Sequence, residues 1–269
     1  MTPEMETGDR VAHWKKEMKV NPEELGNYLE GDIMLTEDHQ EHINYWPDVI
    51  IPTIFSGDFN QNEVIRILDA METIHRNTCI RFKTIYMKNE LNWRDERGYI
   101  IITSKKTGCW CQGIGKIDSG QQINLQTPAC TRTHTIIHEL LHALGLDHEH
   151  NRVDRDLYVM INWTNISEDM HYKHHNFYMR KTNYTLGLPY DYDSIMHYSP
   201  YAFAKYPNLT TITTKAPNKS IGEAKILSKL DILKINIMCN CSRYLRKEDI
   251  DKVNNWINKD LVCQKKIVN

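Results

Sequence analysis

The sequence lacks the features that would place it on a nucleic acid or across a membrane. Its 33 basic and 35 acidic side chains leave a net charge of −2, so neither a polyanion nor a membrane surface is indicated as a partner. No apolar run approaches the roughly 18 residues of a spanning helix. Met1 opens a polar segment without the hydrophobic core of a signal peptide. A length of 269 residues allows one or two globular domains.

The segment from His138 to His148 indicates a metal site. His138 and His142 are four residues apart, so on a helix both imidazoles lie on one face and can reach a single ion. Glu139 can hold a metal-bound water without being a ligand. Gly145 can take φ > 0, end the helix and let the chain turn back, which brings His148 to the metal. Three neutral nitrogen ligands and a position for water predict a catalytic zinc site.

An ordinary amphipathic helix with two incidental histidines is the alternative interpretation. Its inward face would consist of five aliphatic residues: Ile136, Ile137, Leu140, Leu141 and Leu144. Gly145 and His148 at the required offsets argue against this alternative, because an incidental pattern does not need them.

A second motif lies downstream: Tyr192-Asp193-Ser194-Ile195-Met196-His197-Tyr198. A third histidine followed by a Met-containing turn marks the metzincin group of zinc proteases. Glu149 directly after His148, and the Ser-Ile-Met-His-Tyr turn, resemble the astacin family of endopeptidases. The resemblance extends over roughly residues 24–241 and includes these segments: Cys79-Ile80-Arg81-Phe82, Gly108-Cys109-Trp110, Gln122-Ile123-Asn124-Leu125, Pro189-Tyr190-Asp191-Tyr192 and Leu227-Ser228-Lys229-Leu230-Asp231.

The resemblance implies roles for individual residues. Glu139 would be the general base for the zinc-bound water. Tyr198 would be a fifth zinc ligand at rest that swings away to stabilise the transition state; a buried tyrosine with a satisfied hydroxyl is the alternative. Met196 would form a hydrophobic floor beneath the metal. Glu149 would bind the ammonium of the newly cut N-terminus, unless it is a surface carboxylate. An edge strand at Gln122–Leu125 would receive an extended peptide.

The resemblance also implies two disulfides among the seven cysteines: Cys79–Cys241 and Cys109–Cys130. Three cysteines are extra to that pattern: Cys111, Cys239 and Cys263. We expect an additional bridge among them, with one thiol free or intermolecular because the total is odd. Metal binding by Cys109 and Cys111 is a weaker alternative. The cysteines and six glycosylation sequons suit a secreted protein; the sequon asparagines are Asn162, Asn165, Asn183, Asn208, Asn218 and Asn240.

The polar N-terminal region resembles a propeptide. Leu29-Glu30-Gly31-Asp32-Ile33 is similar to the family motif Phe-x-Gly-Asp, in which the aspartate binds zinc in place of the catalytic water and silences the zymogen. A surface Gly-Asp turn is the alternative. No Lys or Arg lies between Ile33 and Trp46, so the trypsin-like cut that opens many relatives has no site there. Activation would use another protease or autolysis.

The sequence therefore predicts three segments: a propeptide-like segment over 1–41, a catalytic domain over 42–241 and a charged tail over 242–269. Apolar spacing predicts strands near 49–54, 80–85, 98–103 and 122–125 and helices over 62–78 and about 132–144, with a last helix starting at Ser228. We expect an α+β, metzincin-like fold of two subdomains. A mixed twisted sheet and two long helices would lie above the cleft, and a loop-rich half with one helix below it.

The predicted function is a secreted, zinc-dependent endopeptidase that binds one Zn²⁺, acts on proteins or peptides and is made as a zymogen. A catalytically silent metzincin-fold module that binds proteins or matrix is the alternative, and loss of Glu139 or of a zinc histidine would have signalled it. Membership in another metzincin branch is a third reading, against which Glu149 and Tyr198 argue.

Two further features leave alternatives open. The segment Ile221-Gly222-Glu223-Ala224 lacks the arginine of the Ile-Gly-Gln-Arg segment that favours acidic residues after the scissile bond in many relatives; Lys219 and Lys225 are possible substitutes. A histidine cluster would bind a second metal or, more simply, form a solvated loop: His171, His174 and His175.

Overall fold

The α+β class is confirmed. The structure is a computed structural model that describes residues 2–35, 43–85, 98–167, 175–180, 185–248 and 250–251. Its helices include α1 (Pro3–Ala12), α2 (Gln61–Asn77), α3 (Thr133–Leu144) and α4 (Lys229–Met238). Its strands are β1 (Ile33–Met34), β2 (Ile50–Phe55), β3 (Arg81–Thr84), β4 (Ile100–Thr103), β5 (Cys109–Gln112), β6 (Gln121–Leu125), β7 (Val159–Ile161) and β8 (Ile212–Thr214).

A mixed six-stranded sheet forms the upper half of the molecule, in the order β1-β5-β6-β4-β2-β3. β5 and β6 run antiparallel, and the other neighbours run parallel. α2 and α3 pack against each other, and α3 also contacts β5 and β6. The main core lies between sheet and helices, and its fully buried members include Ile67, Ile74, Ile100, Ile123, Ile136 and Leu140. This is the predicted arrangement of a sheet with two helices on it.

The helix boundaries follow from capping residues. α2 begins with a capping box in which Asn60 accepts from the N–H of Glu63 and the Glu63 carboxylate accepts from the N–H of Asn60. α4 begins with the predicted box of Ser228 and Asp231. α3 ends where Gly145 adopts φ +109°, a left-handed conformation in which a side chain would be strained.

The lower half is loop-rich and has its own small core. β7 and β8 pair antiparallel, and a second buried cluster includes Val159, Ile166, Phe177, Tyr190 and Tyr198. Tyr198 belongs to this cluster and also contacts His148, so the two halves meet at the histidine that follows α3. Among the described residues no helix is long and apolar enough to cross a membrane.

The N-terminal region contains a helix, a 3-10 turn and a short strand. α1 lies ahead of a 3-10 turn at Pro22–Leu25, and β1 joins the main sheet beside β5 with Ile33 opposite Cys111. We call residues 22–34 the docked segment. The sheet order corrects one prediction: β6 is not an edge strand, because it is paired with β5 on one side and β4 on the other. β5 is the strand whose outer edge the docked segment covers.

The structure contains both disulfides that the resemblance implies, Cys79–Cys241 and Cys109–Cys130. The expected additional bridge is wrong for the described cysteines, since Cys111 and Cys239 are free and buried. Cys111 is enclosed within the sheet, where Gln121 donates to its sulfur, whereas Cys239 ends α4. Cys263 lies outside the described residues.

Gly145→Ala should lower the free energy of unfolding by about 1–2 kcal/mol, because alanine is disfavoured in the left-handed region. The added Cβ would also lie 3.0 Å from the Tyr45 ring. Zinc affinity should fall too, since this turn directs the chain to His148. Urea unfolding and zinc titration measure both effects. Gly145→Asn is the matched control, because asparagine tolerates this conformation. Equal losses in the two variants would contradict the conformational explanation.

Candidate metal centre

Three histidines and one aspartate converge at the cleft. α3 presents His138 and His142 on one face, and their Nε2 atoms lie 3.0 Å apart. The turn at Gly145 brings in His148, as the spacing predicts. Asp32 of the docked segment reaches all three rings: its Oδ2 is 3.0 Å from Nε2 of His138 and 3.3 Å from Nε2 of His148, and its Oδ1 is 3.6 Å from Nε2 of His142. One potential ligand atom from each residue lies within 4.8 Å of the others.

Hydrogen bonds on the outer side orient each imidazole. Nδ1 of His138 is 2.9 Å from the carbonyl of Ile195, and Nδ1 of His142 is 2.8 Å from the carbonyl of Leu146. Carbonyl oxygens only accept, so both rings carry their proton on Nδ1 and turn a lone pair inward on Nε2. Nδ1 of His148 contacts Oε2 of Glu30 at 2.9 Å. All three rings are thus held as ligand tautomers.

The donor set fits a zinc ion. Three imidazole nitrogens and a carboxylate oxygen are ligands that Zn²⁺ takes in tetrahedral sites. Within the described part of the chain, Nε2 of His148 and Oδ1 of Asp32 are buried and have no hydrogen-bond partner. Inward-facing lone pairs repel each other, and a cation at their centre removes this repulsion. The four residues can therefore hold one metal ion.

Asp32 and the histidines shift one another's pKa values. Burial favours neutral Asp32, yet His148 and His142 hold the pKa of Asp32 well below its ordinary range. Burial would lower the pKa of His148, but Asp32 and Glu30 outweigh it and raise that pKa to about 10. The carboxylates of Asp32 and Glu30 therefore govern the protonation of His148 as long as the docked segment is in place.

Glu139 lies among these ligands. It is completely buried, and neither of its carboxylate oxygens has a hydrogen-bond partner among the described residues. Burial, followed by the charges of Asp32 and Glu23, raises the pKa of Glu139 well above its ordinary range. A buried carboxylate without partners destabilises a fold, so packing alone does not account for Glu139.

The Met-containing turn forms the lower wall. Asp231 of α4 fixes this turn, accepting from Oγ of Ser194 at 2.6 Å and from the N–H of Ile195 at 3.0 Å. Met196 is fully buried. The Tyr198 ring centre lies 4.7 Å from that of His148, and its hydroxyl donates to the carbonyl of Glu30. The Tyr198 hydroxyl is therefore hydrogen-bonded to the docked segment. Its role as a zinc ligand stays a prediction.

Glu149 is a buried residue, so its interpretation as a surface carboxylate is wrong. It is 1% exposed. Its carboxylate lies 2.5 Å from Nζ of Lys234 and 2.9 Å from the Arg152 guanidinium, and it accepts from the N–H of Asp191 at 2.8 Å. Burial opposes ionisation, but Lys234 and Arg152 hold the pKa of Glu149 below its ordinary value. Its proposed binding of a new N-terminus stays a prediction.

Three glutamates of the docked segment were missed at the sequence level. Glu23 accepts from Oγ1 of Thr135 at 3.1 Å. Glu24 accepts from the N–H and the hydroxyl of Ser199, both at 2.6 Å. Glu30 contacts His148. No local signal separates them from exposed acids elsewhere in this acidic region, such as Glu17.

Other candidate residues lie away from the centre. Lys219 is exposed and pairs with Asp193 at 3.4 Å, so it does not face the metal ligands. Lys225 is close enough to His134 for its charge to contribute to lowering the pKa of that histidine, where burial is the main cause. Of the histidine cluster, His175 is exposed, and His171 and His174 lie outside the described residues.

Comparisons with known proteins agree with this geometry. A family profile described as Astacin (Peptidase family M12A) matches residues 38–240. The chain is 37% identical over 236 residues to the astacin-like metalloendopeptidase of Coturnix japonica, covering 84% of this chain and 54% of that protein. It thus spans about half the length of this curated relative. It is 34% identical over 235 residues to the low choriolytic enzyme of Oryzias latipes, covering 83% of this chain and 82% of the relative.

A solved structure is also similar. It is that of high choriolytic enzyme 1, a hatching enzyme zinc-protease from Oryzias latipes. It superposes with a TM-score of 0.63 at 38% sequence identity, covering 71% of this chain and 90% of the other.

Acidity should stabilise the docked segment through Glu24. Burial is the largest cause of a rise in the pKa of Glu24 from 4.5 to about 7, and the hydrogen bonds from Ser199 oppose it. The Glu24 carboxyl therefore binds a proton more tightly in the folded chain than in the unfolded chain. The resulting stabilisation is complete below pH 4.5 and is lost as the pH rises through about 7. Relative to Glu24→Gln, the wild type should lose roughly 2–3 kcal/mol of unfolding free energy between about pH 5 and pH 8.

Urea unfolding of both chains across this pH range measures the difference. The exposed Glu17→Gln is the matched control in the same region and should track the wild type at every pH. A constant difference between the wild type and Glu24→Gln would show that Glu24 keeps its ordinary titration.

Proposed function

The chain belongs to the astacin family, peptidase family M12A, and on that premise we propose that it is a secreted zinc endopeptidase that the docked segment keeps latent. The observation that carries the proposal is the Asp32 carboxylate, which lies 3.0–3.6 Å from the three histidine nitrogens. A peptidase with this arrangement is silent until the segment is released. Segments 1–41, 42–241 and 242–269 would be propeptide, catalytic domain and tail.

Glu139 would be the general base. Zinc held by His138, His142 and His148 would supply a Lewis acid that polarises the scissile carbonyl and acidifies the attacking water. Glu139 would take a proton from that water and pass it to the leaving amine. Its buried oxygens have no competing hydrogen bonds within the described residues, which supports this role.

Tyr198 would stabilise the oxyanion. Its hydroxyl now donates to the carbonyl of Glu30, a neutral peptide oxygen. After the docked segment leaves, the same hydroxyl would donate to the oxygen on which negative charge develops. With the segment in place, burial first and then Asp32 raise the pKa of Tyr198 well above its ordinary value, so the hydroxyl that contacts Glu30 is a protonated donor.

An extended substrate would pair with β5. β1 covers this edge in the latent chain, with Ile33 opposite Cys111 and Met34 opposite Gln112. Release of β1 would expose the backbone groups of β5, and a peptide would add as a strand, with side-chain pockets setting specificity.

Secretion is supported by the disulfides and by the surface sequons. Asn208, Asn218 and Asn240 are exposed. Asn162 and Asn165 are less suited as glycosylation sites, because each donates its side-chain amide to the carbonyl of Thr210. Asn183 lies outside the described residues.

Glu139→Gln should remove activity while zinc stays bound. Loss of a general base lowers kcat by about 10²- to 10⁴-fold. The assay is cleavage of a peptide library by the folded full chain after limited proteolysis has released the docked segment, with metal content measured in parallel. A zinc chelator should have the same effect, and Glu72→Gln on the exposed face of α2 is the matched control. No cleavage by the zinc-loaded, nicked wild type would reject the peptidase and favour a silent protein-binding module.

Asp32→Asn should give the uncut chain partial activity, because the neutral amide is a much poorer zinc ligand than a carboxylate, although β1 still pairs with β5. Peptide cleavage by the uncut variant is compared with that by the uncut wild type, and the exposed Asp9→Asn serves as control. Activity in the uncut wild type equal to that of the variant would contradict the latent role of Asp32.

A further inference from the structure

Glu30 of the docked segment fills a carboxylate-binding pocket beside the metal centre. Its side chain is 2% exposed. Oε2 lies 2.9 Å from Nδ1 of His148, and Oε1 lies 2.7 Å from the Arg180 guanidinium. Arg180 in turn lies 2.5 Å from Oδ2 of Asp147. Two charged or polar donors therefore converge on one acidic side chain.

The backbone of Glu30 is also held by hydrogen bonds at this site. Its N–H donates to Oδ1 of Asn176 at 2.8 Å, and its carbonyl accepts from Tyr198. Its φ of +52° is a left-handed value that is uncommon for a residue other than glycine. Such conformations persist where the surroundings determine them, commonly at ligand-binding sites.

The walls of the pocket do not belong to the docked segment. His148, Arg180, Asp147 and Asn176 all follow α3 in the chain, and Arg180 is also held through its N–H, which donates to the carbonyl of Asn151 at 2.8 Å. Asp147 orients the guanidinium, since Arg180 also contacts it through NH2 at 3.4 Å. Arg180 therefore has contacts with Asp147 and Asn151 that do not depend on the docked segment.

The pocket lies beside the metal centre, since Nδ1 of His148 contacts Glu30 and Nε2 of the same ring lies 3.3 Å from Asp32. Glu30 is two residues from Asp32, which contacts the three histidines, so one short stretch of backbone spans both sites. We propose that Arg180 and Nδ1 of His148 form a subsite that selects a glutamate side chain in the peptide that replaces the docked segment. This rests on the proposed function, in which that peptide is the substrate.

The basic residue that contacts an acidic side chain is thus Arg180, and not Lys219 or Lys225, which the sequence suggested. Lys219 is paired with Asp193 and exposed, and Ala224 is uncharged. Arg180 instead contacts a bound carboxylate directly. Aspartate is one methylene shorter than glutamate and would not reach both donors, and Arg180 would repel lysine. Asp147 also contacts the guanidinium, so we expect only a moderate preference for glutamate over glutamine.

Binding and cleavage test the proposal separately. The folded, zinc-loaded full chain is nicked by limited proteolysis and freed of the docked segment. Synthetic peptides covering residues 27–35, with Glu, Gln or Asp at position 30, are titrated by calorimetry. We expect the Glu peptide to bind about tenfold or more tightly than the Gln peptide, as for a charge-assisted contact, with Asp between them. A peptide library should show glutamate at one fixed position among the cleaved bonds.

Arg180→Ala should bring the Glu-to-Gln ratio of affinities close to one and remove the glutamate enrichment. Arg76→Ala, an exposed arginine on α2, is the matched control and should retain both. If Arg180→Ala does not fold, the Glu-to-Gln ratio of affinities is compared between the wild type and Arg180→Lys. Lysine retains the charge but not the planar geometry, so this ratio should be smaller for Arg180→Lys than for the wild type.

The outcomes are distinguishable. Glutamate-dependent binding without cleavage would support the subsite and reject the peptidase. Cleavage without enrichment of glutamate, equal affinity for the Glu and Gln peptides, or a preference unchanged by Arg180→Ala would overturn the subsite and leave Glu30 as a structural contact.

Discussion

The convergence of three buried imidazole nitrogens on one point is the constraint on which the rest of the site depends. Each ring is held by an acceptor on its outer side, so its lone pair faces inward. Such an arrangement is unfavourable unless something positive, or a proton shared with a carboxylate, lies at the centre. Asp32 supplies the carboxylate here, which ties the docked segment to the three histidines.

Buried charged residues hold the chain segments around this centre in position. Asp231 belongs to α4, yet it holds the turn that carries Met196 and Tyr198. Glu149 follows the third histidine directly and is neutralised by Lys234 of the same helix. One C-terminal helix thus fixes both sides of the lower wall. Buried ion pairs of this kind add little stability on balance but set geometry when their partners are complete.

The docked segment resembles a ligand more than a cover. It adds a strand to β5, presents Asp32 to the histidines, gives its carbonyl to Tyr198 and places Glu30 between His148 and Arg180. Each contact uses a group that the proposed reaction also needs. Inhibition and substrate recognition can therefore share the same surfaces, and the chemistry of the segment becomes a guide to the chemistry of the substrate.

The sequence by itself determined the features that depend on spacing within a few residues. A four-residue interval sets His138 and His142 on one face of α3, Gly145 ends that helix, and Ser228 with Asp231 starts α4. The family resemblance supplied the two disulfides. Only the tertiary structure decided that β6 lies inside the sheet, that Cys111 and Cys239 stay unpaired, and that Glu30 meets Arg180. These depend on contacts between residues far apart in the chain. Nothing local distinguishes a glutamate that will be buried against a metal centre from one that stays in water.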